Sequence, residues 1–283
     1  MKAGLLVFEA VAIAAIIALL GRLGLPATRV AAYAWHPLPV WEIAGNGHVD
    51  AAMLAFLLIG LLAFLRGNTL AGGLLVTLVA LVKPVALLVL PVLWRPWNWR
   101  LPLVVGATVS VAYLPFISVG TGVLGFLPNY LREEGFTSGA GYKLLWVVES
   151  FSGPLTHGVA AFVAVSAVFL AGLALAIGFP SDRSGEASLH AASWLLVAFP
   201  ILISPHYPWY FLALAPFLAL APSAAAWALT STSVLFYDVV PNDSLPAYEA
   251  RIAVFTLATL AALAYGLWCQ WRRTAGVAVG GTP

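Results

Sequence analysis

Charged side chains are scarce in this sequence: 13 Lys and Arg and 11 Asp and Glu among 283 residues, or 8%. A water-soluble domain carries about 25%, so the composition excludes a soluble globule. The single cysteine, Cys269, excludes an internal disulfide and says nothing about redox compartment. A net charge of +2 gives no argument for nucleic acid as a partner. Strict alternation of polar and apolar residues is absent, which excludes an outer-membrane barrel. Also absent are a Walker loop, a dinucleotide glycine motif, Cys/His metal spacing and Gly-x-Ser-x-Gly. Nucleotide hydrolysis, redox chemistry and serine hydrolysis therefore lack support. No internal repeat and no long hydrophilic linker divide the chain, so residues 1–283 read as one transmembrane domain.

Apolar residues make up 62% of the chain. A bilayer core is about 30 Å thick and takes roughly 20 apolar residues per helix, leaving room for up to about ten crossings. Apolar runs fall at 4–21, 49–65, 69–82, 84–94, 101–117, 155–178, 189–203, 209–221, 223–237 and 252–270. The first follows Met1-Lys2 and ends in Gly21-Arg22-Leu23-Gly24, with no small-x-small cleavage site, so it reads as an uncleaved span. The expected fold is an all-α polytopic membrane protein of about 8–10 transmembrane helices.

Lys83-Pro84 interrupts 69–94, and Pro216 and Pro222 interrupt 209–237. An unbroken helix over 69–94 would extend about 38 Å and cross once. Divided at the proline, it enters and leaves on one side. The divided form collects Lys2, Arg66, Arg95, Arg100, Arg183, Arg272 and Arg273 on one face. Arg22, Arg29, Arg132, Lys143 and Arg251 then lie on the other, with most of the acids. The positive-inside rule makes the first face cytoplasmic. Both termini are then expected inside, with loops 22–48, 118–150, 204–208 and 238–251 outside.

The outer loops hold the unusual polar residues. In the segment from Tyr33 to Asp50, Pro37 and Pro39 argue against regular helix around 36–39. Asn46, between Gly45 and Gly47, suits the N-cap of the next span, and Asp50 suits its first turn. Capping accounts for those two but not for Glu42 or His48, which are costly at a membrane boundary. On a helix continuous from 42, Glu42, Asn46 and Asp50 share a face, with His48 opposite. Lys83 reads equally as a snorkelling lysine or as a cation facing a cavity and a phosphate. In Ser204-Pro205-His206-Tyr207-Pro208-Trp209-Tyr210, interfacial anchoring explains Trp209 and Tyr210, whereas His206 is a candidate ligand or proton carrier. Arg132 and Lys143, in the loop 127–146, are candidate phosphate or sugar contacts, with a solvated loop as the plainer reading.

Trp35-x-Pro37-Leu38, Glu42, Gly45-Asn46-Gly47-His48-x-Asp50, the later Lys83-Pro84 and Ser204-Pro205-His206-x-Pro208-Trp209-Tyr210 resemble, in order and spacing, the GT-C superfamily. The likeness is to its polyprenol-phosphate-dependent mannosyltransferases, across about residues 25–220. The resemblance implies a multispanning hexosyltransferase that moves a sugar, with inversion, from a polyprenyl phosphate to an acceptor on the non-cytoplasmic face. It implies a prokaryotic plasma membrane, with the bilayer and a polyprenyl-phosphate sugar as partners. Glu42 and Asp50 would be catalytic, and Lys83 would meet the phosphate. His48, Asn46, Arg132, His206, Trp209 and Tyr210 would bind substrate. No cofactor is identified; a divalent metal is compatible with the resemblance, and no metal ligand is assigned.

One departure stands out. The family presents an acid on its first outer loop, and residues 22–35 contain no Asp or Glu. The expectation is an N-terminally shortened form that binds lipid phosphate and transfers sugar very slowly or not at all, with a separately encoded N-terminal membrane part as partner. Two rival readings are a non-catalytic lipid-linked-sugar binding or translocating protein, and a small-solute transporter with a midplane site at Pro84 and Pro208.

Overall fold

The computed structural model describes residues 2–94, 98–139, 141–178, 184–237 and 245–279. Among these the structure is helical, with no strand. Five helices are long and apolar enough to cross a membrane: Lys2–Arg22, Arg100–Val123, Gly158–Ile177, Gly185–Ile203 and Ala250–Cys269. Five shorter apolar helices lie between them: Asp50–Leu65, Thr69–Ala80, Pro84–Leu93, Pro208–Leu220 and Ala224–Phe236. The chain is an all-α polytopic membrane protein, as the ten apolar runs predict.

Helix α1 (Lys2–Arg22) is an unbroken apolar span. The chain then passes through a 3-10 turn (Ala27–Val30), α2 (Ala31–Ala34), α3 (Pro37–Pro39) and a π-helical turn (Val40–Asn46). Helix α4 (Asp50–Leu65) follows, and it runs parallel to α1, not antiparallel. Three contacts fix this direction. Lys2 Nζ donates to Gly45 O at 2.6 Å, Phe8 meets Phe56 with ring centroids 5.9 Å apart, and Arg22 Nε donates to Leu65 O at 3.3 Å. Neighbouring parallel elements require a crossover between them, so residues 23–46 return across the bundle as a broken segment. Midway, Tyr33 OH donates to Glu9 Oε2 on α1 at 2.9 Å.

The expected outer loop 22–48 is therefore a crossing, and Lys2 shares a face with Gly45. Placing the N-terminus on one side and the His48 region on the other is overturned by the Lys2–Gly45 bond. The search of residues 22–35 for a loop acid also loses its basis, because that stretch starts at Arg22 on the opposite face.

Helix α5 (Thr69–Ala80) comes back beside α4, its first turn capped by Asn68 Oδ1, which accepts from Ala71 N at 3.0 Å. Glycines let the two backbones approach: a Cβ on Gly72 would stand 2.8 Å from Gly60 O. Lys83, extended at φ −133°, ends the climb, and Pro84 starts a 3-10 turn (Pro84–Val89) leading into α6 (Leu90–Leu93). That arm descends along α5, since the same Gly72 Cβ would lie 3.2 Å from Leu93 Cδ2. Residues 69–94 thus form the hairpin read from the charges, with Lys83 at its tip. At 1.5 Å per residue α5 rises only about 18 Å. Arg100 falls on the face of Arg22 and Arg66, because Leu101 packs on Gly73 near the start of α5. Arg95 and Arg183, which the charge count also used, lie outside the described residues.

Helix α7 (Arg100–Tyr113) and a 3-10 stretch (Leu114–Leu124) carry the chain back to the site face, their apolar side chains largely exposed. There lie α8 (Leu127–Glu133) and α9 (Lys143–Ser152). Helix α10 (Gly158–Gly178) leaves that face and α11 (Gly185–Ile203) returns to it. A Cβ on Gly185 would stand 3.2 Å from both Leu23 and Leu65, which sets the start of α11 opposite the site.

A second hairpin follows. Residues Pro208–Leu214 (3-10) and α12 (Phe217–Leu220) go in; α13 (Ala224–Thr232) and a 3-10 turn (Ser233–Phe236) come out. Phe211 and Phe236 pair across it at 6.2 Å, and Ser223 caps α13 by accepting from Ala226 N at 3.1 Å. The core sits here: Phe211 to Ala221, apart from Pro216, are apolar residues no more than 3% exposed. Finally α14 (Leu245–Val279) starts on the site face, with Phe255 packed on Phe211 and Phe236.

Candidate functional site

Glu42 and His48 lie six positions apart in sequence, yet the side chains meet. A helix continuous from 42 would set them on opposite sides. Instead the π-helical turn ends at Gly47, whose φ of +76° reverses the backbone in a region glycine enters without strain. His48 swings back, its Nε2 3.2 Å from Glu42 Oε2 and its Nδ1 3.7 Å from Asp50 Oδ2. Lys83, at the first hairpin's tip, places Nζ 3.1 Å from Asp50 Oδ2. The result is an unbroken row: Glu42, His48, Asp50, Lys83.

Two details of this segment differ from expectation. Pro37 opens a helical turn, with His36 as its N-cap accepting from Leu38 N at 3.2 Å, and Leu38 stays helical despite Pro39. A proline at the first helical position gives up no hydrogen bond. Asn46 does not cap α4, whose N-cap is Val49 with no side-chain bond. Its amide turns back to donate to Glu42 Oε2 at 3.1 Å.

The two carboxylates are sealed in. Glu42 is 0% exposed and Asp50 2%, while His48 is 27% exposed and Lys83 22%. Glu42 accepts from Tyr237 OH, from Asn46 and faces His48, so both its oxygens are engaged. A buried carboxylate needs such donors, because desolvation disfavours its charge.

Aromatic rings wall the opposite side. His48 stacks on Trp209 at 4.8 Å and 27°, and Trp209 stacks on Tyr207 at 4.4 Å and 7°. Lys83 Nζ lies 5.5 Å above the Tyr210 ring, whose hydroxyl bonds Tyr130 OH on α8. Burial and the Tyr210 bond push the Tyr130 phenol well above its ordinary pKa, so it stays a neutral hydrogen-bonding group.

His206 belongs to an adjoining cluster. Its Nδ1 is 3.2 Å from Glu134 Oε2, and burial, followed by the nearby Lys143 charge, pulls its pKa down. Ser204 sits in the left-handed region at φ 52°, its Oγ accepting from Lys143 N at 3.2 Å. That bond ties the Pro205–Pro208 loop to α9. Burial holds the Lys143 ammonium down to about 8.

Of the expected site residues, Glu42, Asn46, His48, Asp50, Lys83, Trp209 and Tyr210 converge. His206 lies beside them in the second cluster. Arg132 stays exposed on α8, between Tyr130 and Glu134, which do join the two clusters. Lys83 neither snorkels alone nor faces a cavity unpaired; Asp50 holds it. Tyr237, Tyr130 and Glu134 were not singled out in the sequence. Each is distant in sequence from its partner; Tyr130 and Glu134 sit in a stretch that reads as loop, and Tyr237 ends an apolar run. Among the described residues no group of three or more His, Cys, Asp and Glu is arranged to hold a metal ion.

No curated protein and no solved structure matches the chain. Residues 1–99 match the model of the MptA_B family, alpha-(1->6)-mannopyranosyltransferase, N-terminal domain. Over the segment that carries Glu42, His48, Asp50 and Lys83, the chain is thus similar to a mannosyltransferase domain, and the resemblance to polyprenol-phosphate-dependent mannosyltransferases of GT-C type stands.

Proposed function

We propose that this chain is a membrane mannosyltransferase that takes its sugar from a polyprenyl phosphate and passes it, with inversion, to an acceptor hydroxyl. The observation that carries this reading is the row Glu42–His48–Asp50–Lys83, flanked by rings, with its carboxylates buried and His48 and Lys83 partly exposed. Flat aromatic faces such as Trp209 and Tyr207 suit the apolar face of a hexose.

In this reading the acceptor oxygen bonds to the anomeric carbon as that carbon's bond to the phosphate oxygen breaks. The polyprenyl phosphate leaves with the bonding electrons. The acceptor's proton goes to His48, the exposed member of the row, and the resulting imidazolium lies between Glu42 and Asp50. The carboxylates thus act through His48 by stabilising its charged form. Lys83 holds Asp50 in place.

The proposed orientation has the site facing outward, from a prokaryotic plasma membrane. Regrouping the charges by the parallel course of α1 and α4 supports it. Arg22 and Arg29 move to the face of Arg66 and Arg100, and Lys2 moves to the face of Glu42, Asp50, Glu133 and Glu134. The face opposite the site is the more basic one, which the positive-inside rule makes cytoplasmic. The N-terminus of this chain is then outside.

The test uses the full chain in lipid nanodiscs, with labelled polyprenyl-phosphate mannose and an α-mannoside acceptor. Labelled product from wild type, lost in His48→Gln, supports the reading. Donor binding with no transfer, unchanged in His48→Gln, would replace it with that of a lipid-linked-sugar binding or translocating protein.

A further inference from the structure

Lys143 is the cation that the row leaves unused. It opens α9, and its Nζ is buried without a hydrogen-bond partner, although an ammonium has three protons to donate. Its nearest company is aromatic: the Phe236 ring at 4.1 Å and the Phe255 ring at 5.3 Å. A cation–π contact offsets part of the desolvation but supplies no acceptor. A charge left this way marks a place for an anion.

The space beside it has a definite shape. A cavity of about 530 Å³ lies between α9, α11 and α14, lined by Lys143, Ser204 and His206 at one end and by Thr256, Thr259 and Leu263 along α14. Nearly all its wall is apolar. Its outer flank is built from Trp146 and from Leu257 and Leu260 on the apolar span Ala250–Cys269, which are 56%, 66% and 53% exposed. A long hydrocarbon chain therefore has a lateral way in from the membrane. The polar end adjoins the site, since Phe236, under Lys143, is next in sequence to Tyr237, which donates to Glu42.

We infer that this cavity binds a single-chain lipid phosphate, with its hydrocarbon between α9, α11 and α14 and its phosphate at Lys143 Nζ. A free inorganic anion would leave the apolar wall unused, and an uncharged lipid would leave Lys143 unpaired. The assignment rests on the polyprenyl-phosphate reading above and departs from it in one respect. The phosphate's cation is Lys143, because Lys83 is committed to Asp50.

The experiment measures binding of labelled polyprenyl phosphate, uncharged polyprenol and inorganic phosphate to the full chain in nanodiscs, beside mannose transfer. Lys143→Met should weaken polyprenyl phosphate by about tenfold to a hundredfold, the size of a charged hydrogen bond, and leave polyprenol unchanged. Thr256→Trp, which fills the cavity, should weaken both lipids. Inorganic phosphate should not compete at lipid-saturating concentrations. Thermal unfolding of each variant confirms that it folds. Wild-type affinity for polyprenyl phosphate in a folded Lys143→Met, or equal loss of polyprenol, overturns the site. A selective Lys143→Met loss without mannose transfer by wild type keeps the site and rejects the transferase reading. Transfer that is undisturbed in Lys143→Met does the reverse.

Discussion

Lys83 Nζ and Asp50 Oδ2, on residues 33 positions apart in sequence, stand 3.1 Å apart across the head of α4 and α5. Asp50 opens α4, and Lys83 ends the climb of α5, so the pair clamps the antiparallel helices at the site face. Breaking a buried pair by removing one partner costs about 3–5 kcal/mol, and the partial exposure of Lys83 sets the low end. Lys83→Met and Asp50→Asn should each lower the unfolding temperature, and the double variant should recover a measurable part of the loss. Strict additivity in thermal unfolding would deny the clamp.

His48 is the most exposed member of the row and the one that can take a proton from an acceptor. General-base catalysis is typically worth about 10²–10⁴-fold, so His48→Gln should lower kcat by that order while donor affinity changes little. Glu42→Gln should also lower kcat, because the imidazolium loses the carboxylate 3.2 Å away. A KM effect with kcat intact in His48→Gln would assign the residue to sugar binding alone.

How much of this was legible in the sequence depends on where the partners lie. The motif residues from Glu42 to Lys83 were recognisable because they are few and polar in an apolar chain. The hairpin at Lys83 was legible because one orientation groups the arginines. The crossing over 23–46 was not. Pro26, Pro37, Pro39 and two glycines break the apolar period, and the π-helical turn has none of its own, so the segment reads as a loop. The Lys2–Gly45 and Arg22–Leu65 bonds and the Phe8–Phe56 contact reveal its direction. The row's order was hidden for a related reason: a single positive φ at Gly47 decides which face His48 takes.

That crossing is directly testable. In a Cys269→Ser background, Ala3→Cys and Ala44→Cys should react with an impermeant thiol reagent from the same side of intact cells or oriented vesicles. Arg66→Cys and Arg100→Cys should react from the other. Labelling of positions 3 and 44 from opposite sides would contradict the parallel course of α1 and α4.

The Lys143 ammonium gives a pH signature. Its ordinary value is 10.5 and the folded value is about 8. Between them the unfolded chain keeps a proton that the folded chain has released, so stability rises with pH across that window. Thermal unfolding in detergent from pH 7.5 to 10 should climb in wild type relative to Lys143→Met, in which the slope is reduced. His206 titrates below this window and does not interfere. Parallel curves would mean that the ammonium is not held down by burial.

Glu9 sets a condition on how the chain enters the membrane. It places an ionisable group inside the first apolar helix, and such groups are costly to insert unpaired. The hydroxyl that satisfies it belongs to Tyr33, 24 residues further on. When α1 emerges from the ribosome its partner is still inside the exit tunnel, so the helix cannot settle alone in lipid. Insertion is completed only when the broken segment follows and folds against it, making residues 2–46 a single unit of biogenesis rather than two spans released in turn.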